Sequence, residues 1–263
     1  MTMIYGTDYH IHTTYSDGRV EPEVCIEYAV KKGLREIGFS DHLNPSGEHL
    51  KWCMDHDRLP EYAEHIMKLR AKHSEIAVRM GIEVDYFPNL EKETMKLISS
   101  FPFDYVIGSV HYLGEETVDL GPEFYVGKDV YLIYENYFNL VCEAAGTGLF
   151  DIIGHPDLVR IHRFFPDNDI THLYSMMASA FEMHDVAFEI NTNGRNRPLN
   201  DFYPDRKYLP LFAEHGVPVC VNSDAHLPER IGQHFDEAYD LLRRAGYKEM
   251  AAFRNRERYL IPF

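Results

Sequence analysis

Residues 8–18 read Asp8-Tyr9-His10-Ile11-His12-Thr13-Thr14-Tyr15-Ser16-Asp17-Gly18 and continue out of a strand-like run, Ile4–Tyr9. Alternation along an extended segment turns His10 and His12 to the same side, where both imidazoles can reach one ion. Asp17 follows in a turn-like Ser-Asp-Gly. The same arrangement, a short apolar run followed by ionisable groups, recurs along the whole chain. Strand-like runs are expected at Ile4–Tyr9, Glu36–Ser40, Ala77–Glu83, Tyr105–Ser109, Ile152–Gly154, Ala187–Asn191 and Val217–Asn222, with helical segments between them. Potential ligands stand at their ends: Asp8, His10 and His12; Asp41 and His42; Glu83; His111; His155; Glu189 and Asn191; Asp224 and His226.

Strand–helix alternation implies an α/β protein with a parallel sheet. Groups from so many strand C-termini meet in space only if the sheet closes, because a barrel gathers its βα loops on one face. A seven-stranded (β/α) barrel is therefore expected over an open sheet. Helix boundaries rest on patterns such as Pro22 at an early helical position and Gly33 at the close. No Gly/Ser-rich linker, low-complexity stretch or internal repeat divides the chain, so residues 1–263 read as one domain.

Composition narrows the function. With 42 acidic against 26 basic residues, the formal charge is −16, a field that repels polyanions, so no nucleic-acid partner is expected. A small anionic substrate remains compatible, because cations in a cleft reverse the local sign. No run of about 18 apolar residues and no signal-peptide pattern is present, which points to a cytoplasmic protein without a membrane partner. Cys25, Cys53, Cys142 and Cys220 are widely spaced and read as free or buried thiols. Oligomeric state leaves no trace in the sequence.

A single histidine at a strand end is usually a hydrogen-bonded or exposed side chain. Six of them, His10, His12, His42, His111, His155 and His226, interleaved with Asp17, Glu83 and Asp224, are costly to bury together unless they share a partner. Nine N and O donors exceed one tetrahedral site, so two to three divalent ions are expected; without thiolate, zinc, manganese and iron all suit. The other histidines, in loops and helices, read as surface or satisfied residues. Tyr131, Tyr134, Tyr137 and Phe138 recur at helical spacing and read as core.

The blocks D-Y-H-I-H-T-x-Y-S-D-G (from Asp8), F-S-D-H (from Phe39), G-I-E-V (from Gly81), G-S-V-H (from Gly108), G-H-P-D (from Gly154) and N-S-D-A-H (from Asn222) resemble, in order, the motifs of the PHP (polymerase and histidinol phosphatase) family. That resemblance implies a distorted seven-stranded barrel with a trinuclear metal centre. It places His10, His12, Glu83 and Asp224 around one ion. Glu83 would bridge to a second ion held by His111 and His155, and Asp17, His42 and His226 would hold a third.

The stretches Gly154–Arg160 and Glu189–Arg197 are similar to those of histidinol-phosphate phosphatases, which implies a phosphatase of histidine biosynthesis. By the same resemblance Arg160 and Arg197, with Arg195 as the alternative, would grip the phosphate. Glu83, Asp224 and His226 would position the attacking water. Glu115 and Glu116, in the loop after His111, are candidates to read the cationic amino-imidazole of that substrate. Other readings of the same residues are a PHP phosphoesterase for another small ester or a nucleotide, a metal-dependent amidohydrolase, and a metal-binding protein without turnover.

Overall fold

The computed structural model describes residues 6–263. Seven parallel strands run in chain order round the molecule: β1 (Thr7–Asp8), β2 (Glu36–Phe39), β3 (Ala77–Asp85), β4 (Tyr105–Ser109), β5 (Ile152–Ile153), β6 (Ala187–Asn191) and β7 (Val219–Asn222). A two-residue strand, His42–Leu43, adds a further parallel pairing to β3. Ile11 and Ala225 form a parallel bridge that brings the segments after β1 and β7 together. His12 N donates to Ala225 O at 3.0 Å and Ala225 N to His10 O at 3.0 Å. Closure is thus made by the very residues that carry the His-x-His pair, and the expected barrel is present.

Among the described residues seven α-helices cover the outside: α1 (Pro22–Lys32), α2 (Leu59–Lys72), α3 (Glu91–Ile98), α4 (Val130–Gly146), α5 (Thr171–Met183), α6 (Leu209–Glu214) and α7 (Phe235–Ala245). α1 begins at Pro22 and stops at Gly33, whose φ of 79° suits a residue without Cβ. Tyr134, Tyr137 and Phe138 of α4 are fully buried, as helical spacing implied, whereas Tyr131, expected in the same core set, is only half-buried. None of the described helices is long and apolar enough to cross a membrane.

Along β3 the period of two sorts side chains into levels of the barrel. At the bottom Arg79 Nε donates to Glu36 at 2.7 Å. One level up, Gly81 and Gly38 leave space for the side chain of Tyr105, whose ring or hydroxyl a Cβ on either would strike at under 2.5 Å. Glu83 and then Asp85 rise above it into the site. Tyr9, Tyr105, Ile107, Ile152, Ala187 and Cys220 form an interior cluster that residues 251–253 complete.

Those last residues belong to an antiparallel hairpin, Glu249–Arg254 with Glu257–Pro262, that the sequence reading did not anticipate. Its turn residues, Asn255 and Arg256, have φ of 53° and 66°, a type I′ arrangement without the glycine that normally announces it. Other differences are at strand ends. β1 is shorter than Ile4–Tyr9, of which residues 4 and 5 lie outside the described residues; the backbone N–H of Tyr9 turns to the Asn222 side chain. β3 runs two residues past Glu83, which brings Asp85 into the site.

Candidate active site

Glu83 sits at the centre of the C-terminal face, 1% exposed. Its Oε2 lies 3.2 Å from His10 Nε2, 3.6 Å from His12 Nε2 and 2.7 Å from His42 Nδ1. Its Oε1 lies 3.1 Å from His155 Nε2 and 3.9 Å from His111 Nε2, and accepts the Ser109 hydroxyl at 2.5 Å. Asp224 Oδ1 stands 3.3 Å from His12 Nε2 and 3.4 Å from His226 Nδ1. Asp17 Oδ1 stands 3.2 Å from His226 Nε2 and 3.8 Å from His42 Nε2. All nine expected donors fall into overlapping groups able to hold an ion: His12, Asp17, His42 and His226; His10, His12 and Glu83; His10, His155 and Asp224; and Glu83, His111 and His155.

A surrounding set of residues aims these donors. Glu189 accepts from His10 Nδ1 at 2.9 Å, so the His10 ring turns Nε2 inward. Asp85 does the same for His111, 2.6 Å from Nδ1. Four strand-end residues flagged as potential ligands are spent on the scaffold. Asp8 accepts from the backbone and hydroxyl of Ser223 and the backbone of Gly232, and Asp41 from Thr13 and Ser16. Glu189 also takes the His155 backbone N–H, and Asn191 donates to both Glu189 and Asp224. Burial pushes the Asp8 carboxyl up to about 6, and these hydrogen bonds partly offset it. Asp224 itself has φ of 48°, a left-handed backbone that a non-glycine residue holds only where its surroundings impose it.

The electrostatics favour cations. Burial opposes charge on His42, yet the Glu83 carboxylate overrides it and the imidazole is pushed up to about 10. Against the cost of burial, His42 and His10 hold Glu83 well below the usual carboxylate range, and His10 and His12 do the same for Asp224. Nε2 of His10, both ring nitrogens of His12, Oδ1 of Asp17 and Oε2 of Glu83 are buried without a hydrogen bond of adequate geometry. So many inward-facing lone pairs, mutually close and otherwise unsatisfied, fit divalent ions.

Above the cluster lies a cavity of about 290 Å³. Arg197 lines it and makes no ion pair among the described residues. Tyr203 also lines it, 2% exposed, with a hydroxyl that has no hydrogen-bond partner among the described residues. Nothing in the sequence singled out Tyr203, since an aromatic in a loop reads as packing. Arg195 is occupied elsewhere, by Glu237 and by the Asn200 carbonyl.

Two expectations meet a different geometry. Glu115 is exposed at the tip of a small hairpin, Tyr112–Leu113 with Glu116–Thr117, outside the cavity lining, and Glu116 pairs with Lys128 at 2.7 Å. Among the described residues the only acidic lining residue beyond the donor cluster is Asp119, which strand-end reasoning passed over because it follows no barrel strand. Arg160 is 5% exposed and absent from the lining, although Leu158 and Ile161 on either side of it belong there. Its guanidinium donates to Asp157 at 3.0 Å and to the Phe202 carbonyl at 3.1 Å, and faces Asp205 at 3.4 Å and Asp201 at 3.7 Å. Three carboxylates hold it in the wall beside the cavity.

Replacing Arg160 with Met should therefore destabilise the fold by roughly 3–5 kcal/mol, since it strands the fully buried Asp157. Urea unfolding measures this. Loss of turnover with less than about 1 kcal/mol of destabilisation would instead put Arg160 in contact with substrate.

Barrel and donor cluster define the class: a (β/α) barrel enzyme whose chemistry sits in a histidine–carboxylate centre at the strand C-termini. The PHP domain profile matches residues 8–193, and the chain belongs to that family. A Deinococcus radiodurans protein named "Probable histidinol-phosphatase" is 34% identical over 256 residues, covering 95% of this chain and 97% of its own. A Lactococcus lactis histidinol-phosphatase is 29% identical over 94% of this chain and 93% of its own. The crystal structure of histidinol phosphate phosphatase from Lactococcus lactis, complexed with zinc, L-histidinol and phosphate, superimposes with a TM-score of 0.83 at 27% identity, over 96% of this chain and 98% of that one.

Proposed function

We infer that this chain is a metal-dependent phosphoric monoester hydrolase that converts L-histidinol phosphate and water to L-histidinol and phosphate, a step of histidine biosynthesis. The observation that carries the reading is one cavity with the nine-donor centre at its floor and an unpaired arginine on its wall. Relatives named for that activity, matching 94–95% of this chain, support it.

His10, His12, Glu83 and Asp224 would hold one divalent ion, Glu83, His111 and His155 a second, and Asp17, His42 and His226 a third. Ions there supply Lewis-acid stabilisation of phosphoryl oxygens and a more acidic water. The chain's own groups do the positioning. Glu189 and Asp85 lock the rings of His10 and His111, so little reorganisation is left for the moment of reaction. Arg197 is free to pair with a phosphate, where a guanidinium binds two oxygens at once. The Tyr203 hydroxyl, kept protonated by burial, is a ready donor to a phosphoryl oxygen.

Side-by-side turnover of L-histidinol phosphate, nucleoside monophosphates and sugar phosphates tests the assignment. Histidinol phosphate should have the highest kcat/KM, and a nucleotide or sugar phosphate hydrolysed more efficiently would overturn it. Arg197→Ala should lower turnover of every phosphomonoester by roughly 10- to 100-fold, from one charge-assisted contact. Tyr203→Phe should lower kcat by about 10-fold while leaving thermal stability equal or higher, because it deletes an unsatisfied buried hydroxyl. A stability loss with unchanged kcat would make Tyr203 a packing residue.

A further inference from the structure

The cavity has a polarity that the phosphate chemistry does not use. Arg197 and Tyr203 line it, and so do His111, Tyr112 and Asp119. The carboxylate of Asp119 has no hydrogen bond and no ion pair among the described residues, although 26 basic residues are distributed over the chain.

Its backbone, by contrast, is tied down on both sides. Val118, fully buried, donates its N–H to His111 O at 2.9 Å and accepts the Tyr125 hydroxyl at 3.0 Å. His162 Nε2 donates to the Asp119 carbonyl at 3.0 Å. A half-buried carboxylate held on an anchored backbone and left unpaired is pre-organised for a cation that arrives from outside. Trp52 and Tyr112 add aromatic surface to the same cavity, and such faces also favour cationic groups.

We propose that Asp119 is the specificity-determining residue of this site and binds the primary ammonium of the substrate's amino-alcohol end. This rests on the reading of the substrate as histidinol phosphate. It places discrimination on the segment after the small hairpin, and leaves Glu115 and Glu116 at the hairpin tip without a part in it.

The test compares L-histidinol phosphate with its deamino analogue, 3-(imidazol-4-yl)propyl phosphate, which keeps the same kind of leaving alcohol and loses only the ammonium. Wild-type enzyme should prefer the aminated substrate in kcat/KM by about 30-fold or more, and Asp119→Asn should abolish that preference by losing it on histidinol phosphate alone. L-Histidinol should inhibit the variant correspondingly more weakly, while inhibition by inorganic phosphate stays as in wild type. That inhibitor pair also reports an intact site if turnover is low. An equal fall on both substrates would assign Asp119 to the common chemistry, and an undiminished preference would leave the ammonium to another group; either result overturns the proposal. The assignment of the enzyme is tested separately, since a wild type that favours histidinol phosphate over other esters can do so with Asp119 uninvolved.

Discussion

Glu83→Gln is expected to lower kcat for histidinol phosphate by about 10³-fold or more, roughly 4 kcal/mol of transition-state stabilisation, with an unchanged far-ultraviolet circular dichroism spectrum. Both oxygens of this carboxylate are surrounded by imidazoles: Oε2 by His10, His12 and His42, Oε1 by His155 and His111. An amide keeps the shape and removes the charge. It also puts N–H groups where a donor lone pair is needed, so two of the proposed ion positions fail together. The fold should survive, because β3 is held by its ladders to β2 and β4 and by the Tyr105 ring beneath Glu83. Metal analysis of the variant should show fewer ions per chain than wild type. Near-normal kcat with full metal content would remove Glu83 from the centre.

Chelation is expected to have a comparable effect by another route. Protein dialysed against a strong chelator should lose essentially all turnover and recover it on addition of zinc or manganese. Elemental analysis of protein as purified should find two to three transition-metal ions per chain. Removing the ions leaves the buried, unsatisfied donors of His10, His12, Asp17 and Glu83 facing one another, so the thermal midpoint should fall by several degrees as well. Full activity in chelator, with well under one ion per chain, would exclude a multinuclear centre.

Much of this molecule was legible in order along the chain. Period-two alternation and ligands at strand ends identified a parallel α/β barrel, because those features are local. The strands at Tyr105–Ser109 and Ala187–Asn191 come out with the same limits. The nine side chains that cluster at the strand ends were also legible, since each stands in a short block whose spacing from a strand end is preserved by the fold.

What the sequence could not separate was donors from their supports. Asp8, Asp41 and Glu189 occupy strand ends just as His10 and Glu83 do, and only the closing of β1 against β7 decides which carboxylates face the centre and which are consumed by Ser223, Thr13 or His10. Arg160 shows the same limit. Resemblance of the Gly154–Arg160 stretch implied a phosphate contact, and that three aspartates from residues 157, 201 and 205 converge on it shows only in the folded chain. The C-terminal hairpin that closes the barrel floor, Tyr203 and Asp119 depend on contacts between segments far apart in sequence. Local pattern therefore determined the barrel and its donor set, while tertiary packing alone decided which charges remained unpaired, because pairing is settled by distance in space and has no fixed spacing along the chain.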